Sequence, residues 1–441
     1  MKLVIFSPFL TASAIGRVTA LIARSLYALG HTAVVVRTEQ EDLLHSPVHR
    51  CEAEIIAWTQ ADAVRDAIRD ADAVIYQIGD NYLYHQGCLH WLPMHPGIVC
   101  LHDFFVAHLF MGWAQGRIAE AQGILTQWYG DAAAPEFFGS AANSETFIAT
   151  ASRSYPMTEW ICSMANGVIS HSNWGMSRVA KACPGPVRVV PLPYDAPGAV
   201  PVADRAPAST DRVCLLTVGH ANQNKRIDSV IRVIGSSSAL RKRVTYRLCG
   251  WIDPTVATTL TELAQSLAVD LVISGQLEDA DLQTAFKEAD VLCSLRWPSL
   301  EAASATVIEG LIYGKPIVVT DTGFYSELPD DCVRKISPAN ETGDLKAVLE
   351  QLCDDADTRH QLALRGQQWA TATFRADNYA AQILEMAPLT AASSPALAMV
   401  GWLLNQLNAW GGTDVLLTAE DIARPLEIFE RPTIGFLSPS P

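Results

Sequence analysis

Residues 296–323, RWPSLEAASATVIEGLIYGKPIVVTDTG, set two carboxylates around what reads as the start of a helix. Ser304 stands at the N-cap position of a helix predicted over 305–313, with Val307, Ile308, Leu311 and Ile312 as its buried face. Gly314 and Pro316 end that helix, and a strand follows. Glu301 then lies in the loop ahead of the helix, and Glu309 lies on the helix, off its apolar face. Ala302, Ala303, Ser304 and Ala305 are all small, so a diphosphate can approach the unpaired N–H groups of the first turn. The chemistry this predicts is recognition of a phosphorylated ligand, with one carboxylate on each side of the anion site.

A second segment, LLTVGHANQNKRID at 215–228, has a similar strand–turn–helix character. Its strand ends at Val218, Gly219 permits a tight turn, and a helix starts near Lys225. Together these features resemble family four of the glycosyltransferases, retaining enzymes of GT-B fold, whose typical E-x7-E spacing Glu301 and Glu309 carry. The resemblance implies a nucleotide-diphosphate-sugar donor, with Glu301 beside the hexose and Glu309 on the ribose diol. Lys225 and the helix start at Ser304 and Ala305 would hold the diphosphate. His220 stands where the family commonly has Arg, so Arg226 or Arg296 is left to make the second phosphate contact.

The same resemblance assigns roles in the first half. Gly16, in SPFLTASAIGR, matches the family's glycine loop, and His102, in CLHDFF, follows a strand end and is expected on the donor sugar. Glu301 and His102 are thus the expected catalytic residues. Asp103, and Asn81 in YQIGDN, are expected on the acceptor side, where a glycan, lipid-linked or small-molecule acceptor would bind. Retention in such enzymes is thought to be front-face, with the leaving phosphate helping to deprotonate the acceptor. The positive groups would stabilise charge on that phosphate.

The elements that must position these residues read as α/β throughout. Strands are predicted at 2–7, 31–37, 72–77, 98–101, 167–171 and 187–191, with a helix over 17–29 whose apolar face is Val18, Leu21, Ile22, Leu26 and Leu29. The Pro-, Ala- and Asp-rich stretch 195–211 has no apolar period and reads as a linker. The rhythm restarts with strands at 213–218, 244–249, 271–274, 291–295 and 317–320, and helices at 225–234 and 255–267. Two such halves predict two Rossmann-like domains, 1–194 on the acceptor side and 212–390 on the nucleotide side, facing across a cleft, with a helical appendage at 391–441. Ligands of doubly wound sheets bind at the carboxyl ends of the strands, hence in that cleft.

Composition narrows the field. The formal charge of the 441 residues is −15, which argues against nucleic acid as partner. The ten cysteines are scattered, several in apolar runs, as reduced core thiols of a cytoplasmic protein would be. No uncharged apolar stretch is read as reaching the length needed to span a bilayer, the longest being 395–410. That stretch has Leu397, Val400, Leu404 and Leu407 at helical spacing, and is expected to bury them on the protein's own body or on a second copy; contact with the inner face of a membrane is the alternative. The aromatics Phe104, Phe105, Phe110, Trp113, Trp128 and Phe137 read as a helical subcore first and an acceptor groove second. The triplets Asp70–Asp72 and Asp279–Asp281 sit at element edges, where helix-terminus chemistry accounts for them, so neither metal nor cofactor is expected. The absence of G-x-G-x-x-G counts against a nicotinamide dehydrogenase. The rival functions are a nucleotide-sugar epimerase of the same fold and a partner protein that keeps the fold without turnover.

Overall fold

The computed structural model describes residues 1–204 and 212–409. Two parallel sheets organise the chain. The N-terminal sheet holds β1 (Lys2–Ser7), β2 (Thr32–Arg37), β3 (Glu54–Ala57), β4 (Ala73–Ile78), β5 (Ile98–Leu101), β6 (Gly167–Ser170) and β7 (Val187–Val189), in the order 3-2-1-4-5-6-7. The C-terminal sheet holds β8 (Val213–Val218), β9 (Val244–Cys249), β10 (Asp270–Gly275), β11 (Val291–Ser294), β12 (Ile317–Thr320) and β13 (Arg334–Ile336), in the order 10-9-8-11-12-13. Strand order reverses between β1 and β4 in one sheet and between β8 and β11 in the other, which opens a crevice above the carboxyl ends of each.

The strands form where they do because they are buried on both faces. Leu3, Val4, Ile5 and Phe6 are all fully buried, as are Val99, Cys100 and Leu101. Two further strands, Glu54–Ala57 and Arg334–Ile336, are not predicted from the sequence; both are half-exposed sheet edges of only four and three residues, too short for a strand period to stand out.

Two features concern the chain's ends and joints. The linker is anchored in its described part: Val202 is buried, and its N–H donates to Gln367 Oε1 at 2.7 Å. The tail helix is the end of one helix, Ala376–Ala409, which runs through Pro388 and Pro395. Its first half lies on the N-terminal domain, where Arg188 pairs with Glu385 at 2.9 Å and an added Cβ at Gly167 would collide with Met386 and Thr390. A proline inside a helix removes one N–H and crowds the preceding turn, and is tolerated when packing holds the helix in place. With that continuity, the helical stretch ending at Leu403 is long and apolar enough to cross a membrane by length and composition, a length that a helix beginning at Pro395 did not reach. Trp402 is exposed, and residues 410–441 lie outside the described residues.

The aromatic segment is the expected subcore. Phe105, Phe110 and Phe137 are fully buried and Phe104 nearly so, and Trp113 and Trp128 are partly buried against them. The ten cysteines are free, eight of them buried. Of the acidic triplets, Asp70 and Asp72 serve Lys2, and Asp279 and Asp281 lie in the first turn of the helix Asp279–Glu288.

Candidate active site

The helix start predicted at Ser304 is present. Ser304 occupies the N-cap in extended conformation, ahead of the helix Ala305–Ile312. Its hydroxyl, however, accepts no first-turn N–H; it lies instead against the Tyr325 phenol. The helix therefore begins without a side-chain cap, which leaves its N-terminal amides for an anion.

Around that start, two side chains hold Glu301. Arg296 Nε donates to Glu301 Oε1 at 2.8 Å, and the Tyr325 hydroxyl donates to the same oxygen at 2.5 Å. Burial raises the Glu301 carboxyl pKa, but the Arg296 charge and the Tyr325 hydrogen bond outweigh it, so the group is held below its ordinary value. Lys225 is buried as well, and its Nζ donates to the Val218 carbonyl at 2.7 Å, next to Gly219. Burial and the Arg296 charge push the Lys225 ammonium well down. A buried lysine facing a guanidinium across one carboxylate is short of negative charge. This excludes a solvated helix-start lysine.

The remaining donor-side residues separate. Arg226 turns away: in left-handed conformation at φ +57°, it forms an ion pair with Glu341 at 3.0 Å. Of the two alternatives for a second cation, Arg296 is the one beside Lys225 and Glu301. His220 is exposed, with its ring 4.7 Å from that of Trp251. Gly16 lies in the first turn of the helix Ala14–Ala28, and its N–H is taken by Ser13 Oγ at 3.1 Å. A Cβ there would meet the Pro8 carbonyl at 2.8 Å, so the glycine allows close helix–strand approach.

Glu309 is buried, which excludes an exposed carboxylate pair. It faces the other domain: Arg17 Nη1 donates to its Oε1 at 3.2 Å. Burial pushes its pKa up to about 7 against the pull of Arg17.

On the N-terminal side, His102 is buried, its Nε2 2.7 Å from Gln77 Oε1 and its ring 4.9 Å from that of His171. Burial and the two neighbouring imidazoles His171 and His85 hold it well below its ordinary pKa, hence neutral. Asp103 accepts the Asp80 N–H at 2.8 Å, and burial with the Asp80 and Glu301 charges pushes its pKa up to about 8. Asp80 in turn binds His108 Nδ1 at 2.5 Å. Asn81 caps the helix Tyr82–Trp91 through Leu83 N at 3.0 Å and lines a polar cavity of about 710 Å³ with Asp80, His108, Glu41 and Gln86. The sequence reading missed Arg17, Tyr325, Asp80 and His108. Arg17 directly follows Gly16, which was the available signal; the others had none in spacing.

Comparison with known proteins agrees with this architecture. Residues 203–369 match the family described as glycosyl transferases group 1. No curated protein matches the chain. Sucrose-phosphate synthase from Thermosynechococcus elongatus is similar in structure, with TM-score 0.59 and 15% identity over 88% of this chain and 98% of that one. WaaG, a glycosyltransferase involved in lipopolysaccharide biosynthesis, gives 0.57 and 17% over 87% and 99%. HepE of Anabaena, in complex with UDP-glucose, gives 0.55 and 15% over 88% and 99%. With a group 1 glycosyltransferase domain over residues 203–369 set in a GT-B fold, the chain is a glycosyltransferase.

Proposed function

We propose that the chain is a retaining glycosyltransferase of family four. It moves a hexose-type sugar from a nucleotide-diphosphate-sugar to a glycan, lipid-linked or small-molecule acceptor, in cytoplasmic synthesis of a surface polysaccharide or glycoconjugate. The observation that carries this reading is the cluster of Lys225, Arg296 and Glu301 beside the uncapped helix start at Ala305. Lys225 and Arg296 are both buried beside the single carboxylate of Glu301, so a bound diphosphate would supply negative charge and favour the ammonium form of Lys225. UDP-sugars are the first donors to test, because HepE was crystallised with UDP-glucose.

In this reading the diphosphate lies on Lys225, Arg296 and the Ala305 amides, and the hexose between Glu301 and His102. Glu301 stays ionised against a developing positive sugar, and His102 stays neutral, as its buried setting requires. Asp103, and Asn81 with the cavity it lines, face the acceptor. The leaving phosphate, held by the cations, takes the acceptor's proton.

The test is a thermal-shift panel of nucleotide sugars followed by a donor-hydrolysis assay with and without EDTA. Stabilisation by one donor class and slow hydrolysis that survives EDTA are expected. Donor binding without hydrolysis or transfer would favour the non-catalytic partner, and epimerised donor the epimerase.

A further inference from the structure

We infer that Arg17 is the positioning residue for Glu309, a side chain of the N-terminal domain that aims the carboxylate expected to hold the donor ribose. The inference rests on that ribose assignment. The guanidinium is fully committed. Its Nε and Nη2 grip Asp195 Oδ1 at 2.8 and 2.7 Å, Nη2 also donates to the Asp195 carbonyl at 2.9 Å, and Nη1 reaches Glu309 Oε1 at 3.2 Å. The guanidinium carbon lies 4.5 Å from the centre of the Tyr194 ring, and Nη1 also donates to the Tyr194 hydroxyl at 3.4 Å. Arg17 is thereby clamped by the interdomain connector and presents one N–H to one oxygen of Glu309. The other oxygen, Oε2, takes no hydrogen bond among the described residues. A carboxylate fixed through one oxygen and open at the other is ready for a hydroxyl donor.

The charge balance makes the arrangement testable. The groups facing Glu309 are Arg17 from the helix Ala14–Ala28, Tyr194 and Asp195 from the connector, Asp279 from the start of the helix Asp279–Glu288, and Tyr313 at the end of its own helix. Burial, Asp195 and Asp279 oppose ionisation, and Arg17 favours it through its charge and its hydrogen bond. A ribose diol needs the ionised form as acceptor. Donor affinity therefore rises with pH as Glu309 ionises, and loss of Arg17 moves that rise to higher pH.

The experiment is calorimetric titration of UDP, or of the nucleoside diphosphate that the thermal-shift panel selects, between pH 6 and 9. Wild type is compared with Arg17→Gln, Arg17→Lys, Glu309→Gln and the R17Q/E309Q pair, each checked for native circular dichroism. Expected is a loss of tenfold or more at pH 7 for R17Q, largely regained at pH 9. R17K should fall between R17Q and wild type, and E309Q should lose the rise in affinity with pH. The double variant should be no weaker than E309Q alone, since Arg17 acts through Glu309. Wild-type affinity and pH profile in R17Q, beside a weakened E309Q, would overturn the inference and leave the ribose assignment standing. Unchanged affinity in E309Q would remove the ribose assignment and the inference with it.

Discussion

The main chain of Asp103 pairs with that of Glu301 as an antiparallel bridge between the two domains. The Ala302 N–H donates to the His102 carbonyl at 2.9 Å, and the Phe104 and Phe105 N–H groups both reach the Leu300 carbonyl at 3.0 Å. The loop carrying His102 and the loop carrying Glu301 are therefore registered by each other's backbone. A donor sugar held by both would be gripped by a single unit built from two sheets.

Replacing Glu301 by Gln removes a negative charge that Arg296 and Tyr325 hold in place. Turnover should fall about 10²–10³-fold, the scale typical of losing one transition-state electrostatic contact, while donor affinity changes less. Steady-state rates at saturating donor decide it; an unchanged kcat would make Glu301 a bystander.

Glu309→Ala should weaken donor binding by about 1–3 kcal/mol, as loss of hydrogen bonds from a charged group does. Calorimetry on the folded variant is the check, and an unaltered affinity would remove Glu309 from the donor site.

Arg296 and Arg226 should behave oppositely. Arg296→Met is expected to lose donor affinity, because its guanidinium stands beside Glu301 and Lys225. Arg226→Met should bind donor normally but melt earlier, since Glu341, largely buried, loses its partner. Donor titration and melting curves on the two proteins would reverse the assignment if the pattern were exchanged.

Asp103 gives the ligand-free enzyme a pH signature. Its folded pKa of about 8 lies above the unfolded value, so the folded state keeps a proton that the unfolded chain releases. Stability should be full below about pH 4, the ordinary aspartate range, and decline until pH passes 8. Asp103→Asn should flatten that decline, leaving the part due to Glu309, whose pKa is also raised. Urea denaturation at pH 5 and pH 8 measures the slope; equal slopes in the two proteins would contradict the burial of a protonated Asp103.

Removing residues 395–441 should spare donor binding, because the packed part of the last helix, including Met386 and Thr390 against Gly167, is retained. Solubility or oligomeric state should change, since the exposed Trp402 and the half-buried Leu397, Val400 and Leu403 go. Light scattering giving the same mass and solubility for both proteins would dismiss a second copy as its partner, and loss of liposome co-sedimentation alone would point to a membrane.

Several elements were determined by the sequence alone. Runs such as VCLLTV and IVVT, short and β-branched, read as buried strands, and the small residues of EAASA ahead of VIEGLI mark a helix start. Those are local properties, dictated by apolar period and by the steric demands of glycine and proline. The edge strands Glu54–Ala57 and Arg334–Ile336 escaped because four and three half-exposed residues are too few to show a strand period. The E-x7-E pair was legible, but its environment was not. That Arg226 turns to Glu341 while Arg296 turns to Glu301 follows from a left-handed backbone at Arg226 and from the approach of Tyr325, which no spacing encodes. Arg17 and Glu309 are 292 positions apart and meet only because two sheets face each other and the connector holds Arg17 between them. Charge partners and pKa shifts are properties of burial and distance, and these exist only once the chain has folded.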